Sequence, residues 1–298
     1  MDIMDTVTVA IWNIEQGGVD GEDATRWRDA LEILRERGVD LALIQEVRGD
    51  NQLPDRTAEA ERILDAHAVL APNGSGRFRT AVFARRALFD IVGDPWPHPW
   101  PWKIPPTDCT VRLRDAPDVE LTVISIHLAF AEPLRRELET QELQSIMDKM
   151  KLGRFLIMGG DTNEYPQADG ETVPAIDWST VTDIGHREQR ARLTADGTYT
   201  SITQLDDMML RWQIPDVARY AARERGQRDA LATTAGHTPT TAEQGGPSRV
   251  DRIYLDPRLL PAMTSVDVIQ TDLSDHHAVM ARLDTDGLVQ LVRDARSV

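Results

Sequence analysis

What this chain of 298 residues lacks narrows its class first. It holds one cysteine, Cys109, so neither an internal disulfide nor a cysteine-based zinc cluster can form, which leaves a buried thiol in a reducing compartment. No apolar run approaches the roughly 20 residues that span a bilayer as a helix. Met1-Asp2-Ile3-Met4-Asp5 has neither the basic start nor the apolar stretch of a secretory signal, so the expected location is cytoplasmic. Cations are also scarce: 33 Lys and Arg against 49 Asp and Glu leave a formal charge of −16. That balance argues against a broad basic surface that grips long duplexes. It does not exclude a nuclease. Carboxylates gathered in a pocket bind a divalent cation, which then becomes the local positive charge that attracts phosphate.

What is present reads as an ordinary globular protein, 41% hydrophobic and 28% charged, long enough for one large α/β domain or two small ones. Thr6–Trp12 alternates polar and apolar residues as a half-buried strand does, and ends at Asn13. Trp27, Ala30, Leu31 and Leu34 then fall at i, i+3, i+4 and i+7 on a helix entered near Asp23 or Thr25 and closed by Gly38. Asp40–Glu46 is the next strand. A strand-helix-strand start brings Asn13, Glu15 and Glu46 to the same ends of neighbouring strands, where the loops of an α/β sheet collect ligands. Strands follow at Thr80–Arg85, Thr110–Arg114 and Glu120–Ser125. A helix is predicted over Pro133–Met150 with Leu134, Leu138, Ile146, Met147 and Met150 on its apolar side, then a buried strand at Phe155–Met158. From Asp169 to Gly246 the pattern loosens around a helix near Pro215–Thr233. Strands resume at Arg249–Leu255, Thr264–Gln270 and His277–Leu283, before a closing helix over Leu288–Ala295. Polar motifs flank the loose region on both sides, which favours one domain, 1–298, with an elaborated insertion at about 169–246.

Those motifs share a form: a carboxylate, imidazole or amide just past a short apolar run. They are Ile11-Trp12-Asn13-Ile14-Glu15, Ile44-Gln45-Glu46, Ser125-Ile126-His127-Leu128, Gly159-Gly160-Asp161-Thr162-Asn163, Arg249-Val250-Asp251-Arg252-Ile253 and Leu273-Ser274-Asp275-His276-His277. Any one alone is weak evidence, since a lone Gly-Asp-x-Asn is a turn signal by default. Six in this order and spacing, from about Val7 to Leu283, resemble the endonuclease/exonuclease/phosphatase superfamily. The resemblance implies an α/β (α+β) four-layer sandwich, two packed mixed β-sheets flanked by helices. It also implies metal-dependent hydrolysis of phosphate esters, and fixes a reaction class without fixing a substrate.

Phosphodiester hydrolysis needs a cation to neutralise developing charge, a positioned water and a group to handle protons. Magnesium prefers oxygen ligands, one or two of them carboxylates. That suits Glu46, the family's glutamate of Gln-Glu, with Asn13, Glu15 or Asp275 beside it, and Mn2+ as a substitute. Asp161 and Asn163, one residue apart on an extended segment, point the same way. By resemblance Asp161 aligns or deprotonates the attacking water, and Asn163 holds the water or the phosphate. The plain alternative is an Asx turn. His276 pairs with Asp251 in the family, which sets its tautomer and favours its charge. His277, next along a strand, faces the other way and is structural. His127 sides with the deoxyribonuclease branch, where a histidine at this motif is the general acid. Arg252 alternates away from Asp251, and His67, His98, His186 and His237 belong to no motif.

Two features stay open between a substrate contact and a structural role. Trp96-Pro97-His98-Pro99-Trp100-Pro101-Trp102-Lys103 either stacks on bases or packs its indoles on a sheet edge. Arg77, Arg79, Arg85 and Arg86 either rim a substrate or form a solvated face. The expected activity is Mg-dependent phosphodiester hydrolysis, with DNA or RNA as the partner. The alternative is a small-molecule or phospholipid-headgroup phosphatase on the same scaffold. Against it, no Pro-x-Trp-Cys precedes Asp251-Arg252-Ile253 and no His-Thr-Gln stands at His127.

Overall fold

The structure, a computed structural model, describes residues 6–297 apart from 73–76, 99, 151, 152, 173 and 238. Met1–Asp5, on which the reading of the N-terminus rested, and Pro99 of the tryptophan-rich run lie outside the described residues. Two mixed sheets form the body. In chain order the elements are β1 (Thr6–Asn13), α1 (Thr25–Glu36), β2 (Leu41–Arg48), α2 (Leu53–Ile63), β3 (Ala66–Leu70), β4 (Phe78–Arg85), β5 (Phe89–Trp96), β6 (Thr107–Leu113), β7 (Ala116–His127), α3 (Pro133–Lys149), β8 (Leu156–Asp161), α4 (Ile184–Arg190), β9 (Ala191–Leu193), β10 (Tyr199–Ser201), α5 (Gln204–Arg211), α6 (Val217–Glu224), β11 (Asp251–Leu255), β12 (Met263–Ile269), β13 (Ala278–Asp284) and α7 (Thr285–Arg296).

The first sheet has the order β12-β13-β1-β2-β4-β3 and the second β11-β8-β7-β6-β5, while β9 and β10 pair separately. Parallel pairing occurs at β1–β2 and at β7–β8, next to one another across the sandwich. One apolar core fills the space between the sheets, joining Val9 and Ile11 of β1, Leu43 of β2, Val123 of β7 and Ile157 of β8. The outer face of the first sheet packs on Trp27, Leu31 and Leu34 of α1; the outer face of the second packs on Leu143, Ile146 and Met147 of α3. This is the four-layer sandwich expected.

Where β8 ends, Gly159-Gly160 lets the two sheets approach closely. A Cβ at Gly159 would lie 2.8 Å from the Ile11 side chain and one at Gly160 2.9 Å from Gln45 Nε2, both on the other sheet, while the latter would also lie 1.9 Å from the Ile126 carbonyl oxygen of the adjacent strand β7. Both glycines extend β8 past the expected Phe155–Met158 strand and carry Asp161 to its end. Behind the site, Gln45 Nε2 donates to Ser125 Oγ at 2.9 Å, joining β2 of one sheet to β7 of the other.

Several expectations need correction. The apolar pattern missed α2, β3, β5 and α5. Pro215–Thr233 is not one helix: α6 stops at Glu224, Gly226 takes a left-handed turn at φ +70°, and Arg228–Leu231 is a separate 3-10 turn. On α3, Leu134 and Leu138 face solvent, while Arg136, Glu139 and Thr140 are buried beside Leu143, Ile146 and Met147. Polar residues hold the inner face there because neighbouring loops need partners. Arg136 donates to the Ala129 and Gln189 carbonyls at 2.8 and 2.6 Å, and Glu139 accepts from the Lys103 and Ala129 amides. Among the described residues no helix is long and apolar enough to cross a membrane.

Candidate active site

The C-terminal ends of β1, β2, β7 and β8 converge, and each leaves one polar side chain there. Asn13 closes β1 in register with Gln45 of β2, so Glu46 follows one step beyond. Glu46 sits at φ +61°, where β2 and β4 slip register between Ile44 and Val47. That bulge redirects a side chain that simple alternation would send elsewhere, a strain found where function demands it. Asn13 Nδ2 donates to Asp161 Oδ2 at 3.0 Å and to Glu46 Oε1 at 3.4 Å, tying both carboxylates to one amide. Glu46 Oε2 accepts from the Gln16 amide at 2.9 Å.

Asp161 is buried at the centre. Its Oδ1 accepts from the Asn163 amide at 2.8 Å, and its Oδ2 lies 3.5 Å from His127 Nε2 and 3.8 Å from His276 Nε2. Burial alone would raise this carboxyl; the charges of His276, His127 and Arg190 outweigh it and hold Asp161 below the usual carboxylate range. Asn163 reaches the same place by an Asx turn at φ +50°, not by the extended alternation expected. Its Nδ2 donates to the Leu128 carbonyl at 2.9 Å.

His276 Nδ1 bonds Asp251 Oδ2 at 2.7 Å. Burial disfavours the imidazolium, but Asp251 and Asp161 prevail and push its pKa up to about 10. Thr234 Oγ1 accepts from the Asp251 amide at 3.0 Å, and Trp12 Nε1 donates to the His276 carbonyl at 3.0 Å, so both partners are held from behind. His277 faces away as expected, stacked on His237 with ring centroids 4.0 Å apart.

The remaining acids lie at the rim. Glu15 is half-exposed, 4.0 Å from Arg26, and is raised by burial and by the charges of Asp275 and Glu46. Asp275 accepts from Ser274 Oγ at 3.3 Å, and the same hydroxyl donates to the Asn13 carbonyl at 2.7 Å. Glu15, Glu46 and Asp275 thus form a carboxylate group with little cationic compensation. Asn13 Oδ1, buried beside them, has no hydrogen-bond partner. An all-oxygen donor set with an orphaned amide oxygen fits a hard divalent cation. Asp161, Asp251 and His276 also offer ligand atoms within 4.8 Å of one another, a cluster that could hold a metal. The His276–Asp251 hydrogen bond and the charge on His276 already engage those atoms.

Sequence reasoning missed two arginines. Arg190, the last residue of α4, donates to both the backbone oxygen and Oδ1 of Asn163, which orients the amide with Nδ2 toward Asp161. Arg136 links α3 to the loop after His127 and to α4. Neither stands in a motif, and no local signal marks them. Arg252 points away, bonded to Thr162 Oγ1 at 2.6 Å and paired with Asp206 at 3.2 Å. Of the open features, Trp102 is buried against α3, whereas Trp96 and Trp100 are exposed. Lys103 pairs with Glu132 at 3.1 Å and covers the Phe130 ring. Arg85 pairs with Asp40, Arg86 with Glu61, and Arg77 lies over Phe78.

A cavity of about 280 Å3 opens onto Asn163, Arg190, Asp275 and His276, walled further by Tyr165 and Ser248. Comparison with known proteins gives the family and the fold. The chain belongs to the Endonuclease/Exonuclease/phosphatase family, whose model matches residues 10–276, and is a metal-dependent phosphoric ester hydrolase. No curated protein matches its sequence. Similar solved structures include D. rerio TDP2 complexed with single strand DNA product (15% identity, TM-score 0.60, 94% of this chain and 99% of that one) and an AP endonuclease from Archaeoglobus fulgidus (14%, 0.62, 94% and 100%). Another is the Bacteroides thetaiotaomicron mannosyl-6-phosphatase (16%, 0.59, 92% and 98%). At such identities the likeness is one of fold.

Proposed function

We propose that this chain hydrolyses phosphodiesters with magnesium or manganese, nucleic acid being its substrate, and that residues 1–298 work as one domain whose insertion at about 169–246 supplies the substrate-side wall. The observation that carries the reading is the pair of imidazoles flanking one ionised carboxylate, His127 at 3.5 Å and His276 at 3.8 Å from Asp161 Oδ2. Asp161, kept ionised, aligns the attacking water and takes its proton. His276, kept charged by Asp251, neutralises a phosphate oxygen. His127 gives a proton to the departing oxygen, which in a diester is an alkoxide that needs one. Asn163, locked by Arg190, offers an amide to water or phosphate. Glu46, Asn13, Glu15 and Asp275 would hold the cation, which when bound supplies Lewis-acid stabilisation of the phosphoryl oxygens. TDP2 with a single strand DNA product lends support to the nucleic-acid reading. The net charge of −16 disfavours long duplexes and leaves single strands open.

The test is a panel of plasmid, single-stranded DNA, RNA, and small phosphate mono- and diesters with magnesium, manganese or a chelator. Metal-dependent cleavage of single strands and small diesters is expected. Turnover of monoesters alone would replace the reading with a phosphatase, and hydrolysis undiminished in chelator would end it.

A further inference from the structure

We propose that a second cavity, of about 420 Å3, receives an uncharged ring system of nucleoside size attached to the scissile phosphate. The proposal rests on the phosphodiesterase reading and adds to it what the enzyme grips beyond the phosphate. Three observations carry it.

The first is position. Tyr165 and Ser248 wall both this cavity and the catalytic one. Tyr165 stands two residues past Asn163, and Ser248 three before Asp251. A group joined to a phosphate at Asn163 and His276 has only to pass these two side chains to enter. The volume falls within the roughly 300–1,000 Å3 of small-molecule sites.

The second is charge. The ionised groups in the wall are spent on one another: Arg249 Nε donates to Glu171 Oε2 at 2.9 Å, Arg249 Nη1 meets Asp216 at 2.6 Å, and Arg219 Nε meets Glu171 at 2.8 Å. His186, which bonds the Tyr165 hydroxyl at 3.0 Å, is pushed down to about 4 by burial and by the charge of Arg190, so it is neutral at pH 7. A charged ligand group would be desolvated there with no partner; a neutral one is not penalised.

The third is shape. Trp178 meets the Tyr165 edge at 5.5 Å and stacks on His186 at 6.0 Å, while its Nε1 donates to Ser201 Oγ at 3.0 Å. The wall is therefore rigid and ring-lined before any ligand arrives, which suits a flat ring at little ordering cost. Apolar surface with a few hydroxyls, Thr200 at the rim among them, matches a base and its sugar better than an acyl chain.

Ala175 and Thr200 line the cavity from its exposed rim and touch nothing catalytic. Calorimetric titration of the protein with a nucleoside 5′-monophosphate and with ribose 5-phosphate isolates the ring. The monophosphate is expected to bind about tenfold or more tighter, the scale of one aromatic contact, and Ala175→Trp and Thr200→Trp are each expected to erase the difference without weakening ribose 5-phosphate. No difference in the native protein, or a difference untouched in both variants with normal melting, overturns the proposal. Hydrolysis of methyl 2,2,2-trifluoroethyl phosphate, run in parallel and followed by fluorine NMR, tests the catalytic reading independently, since this diester has no ring to place in the cavity. With a single-stranded octamer and a small nucleoside diester as substrates, loss of turnover in the variants on both identifies the ring as a base within a strand. Loss on the small diester alone identifies it as part of a small ester. Either result upholds the cavity's assignment.

Discussion

A carboxylate as enclosed as Asp161 stays ionised only because its neighbours require it. His127, His276 and Arg190 supply the charge, and Asn13 and the Asn163 amide supply hydrogen bonds. Removing that carboxylate or its imidazole partner should therefore abolish function before it harms the fold. Asp161→Asn and His276→Ala are each expected to cut turnover by about 100-fold or more in protein that still folds, His276→Ala with a lowered melting temperature because it strands the buried Asp251, and His277→Ala to cost much less turnover. Steady-state kinetics with a calorimetric melt on each variant decides this; a larger loss in His277→Ala would reverse the assignment of the pair. His276 also has a direct signature. Its folded pKa of about 10 lies above the ordinary 6.5, so its contribution to stability is complete below pH 6.5 and is lost as pH rises through 10. NMR titration of the metal-free protein should find this ring still charged at pH 9, and a midpoint near 7 would show that Asp251 and Asp161 do not govern it.

At the scale of elements, α3 shows why an apolar count misleads. Leu134 and Leu138 are spaced like core residues yet face water, and the inward stripe runs Arg136, Glu139 or Thr140, Leu143, Ile146 or Met147. The helix is turned by what its neighbours lack: the Ala129 and Gln189 carbonyls and the Lys103 and Ala129 amides have their partners on it. Leu134→Glu should accordingly change unfolding free energy by no more than about 0.5 kcal/mol. Arg136→Ala, which strands the buried Glu164 at 3.3 Å, should cost about 3–5 kcal/mol. Denaturant melts of the two variants measure both, and an equal cost would refute the orientation. The central strands β1, β2, β7 and β8 and helix α1 were legible because one period of burial governs them. In the insertion α6 was legible in part, but α4 was not, since it buries no residue and serves to bring Arg190 to Asn163, His186 to Tyr165 and the Gln189 carbonyl to Arg136.

For the whole molecule, the core between the sheets is apolar and continuous and contains none of the candidate metal ligands. Chelation should then remove activity while the far-UV spectrum and melting cooperativity persist, whereas unfolding on chelation would mark the metal as structural. The charge of −16 has its own consequence. Few phosphates are met by protein cations, so binding of single strands should weaken with salt at a shallow logarithmic slope of roughly −1 to −3. A slope steeper than about −5 in a titration from low to moderate salt would reveal a basic surface that the composition does not suggest.

The residues that make the chemistry were visible in the chain because chemistry restricts residue type. A carboxylate, an amide or an imidazole at the end of an apolar run has few substitutes, and six such ends in order point to one family and one class of reaction. Their meeting was decided only in three dimensions. Asp161 and His276 are 115 positions apart, and their approach depends on Gly159 and Gly160 letting the sheets close, on the bulge that turns Glu46, and on Arg190 and Arg136 fixing loops from outside any motif. A residue whose work is to fill or open a particular gap leaves no periodicity behind it, because the gap belongs to the packing of distant segments and not to its own neighbours in sequence.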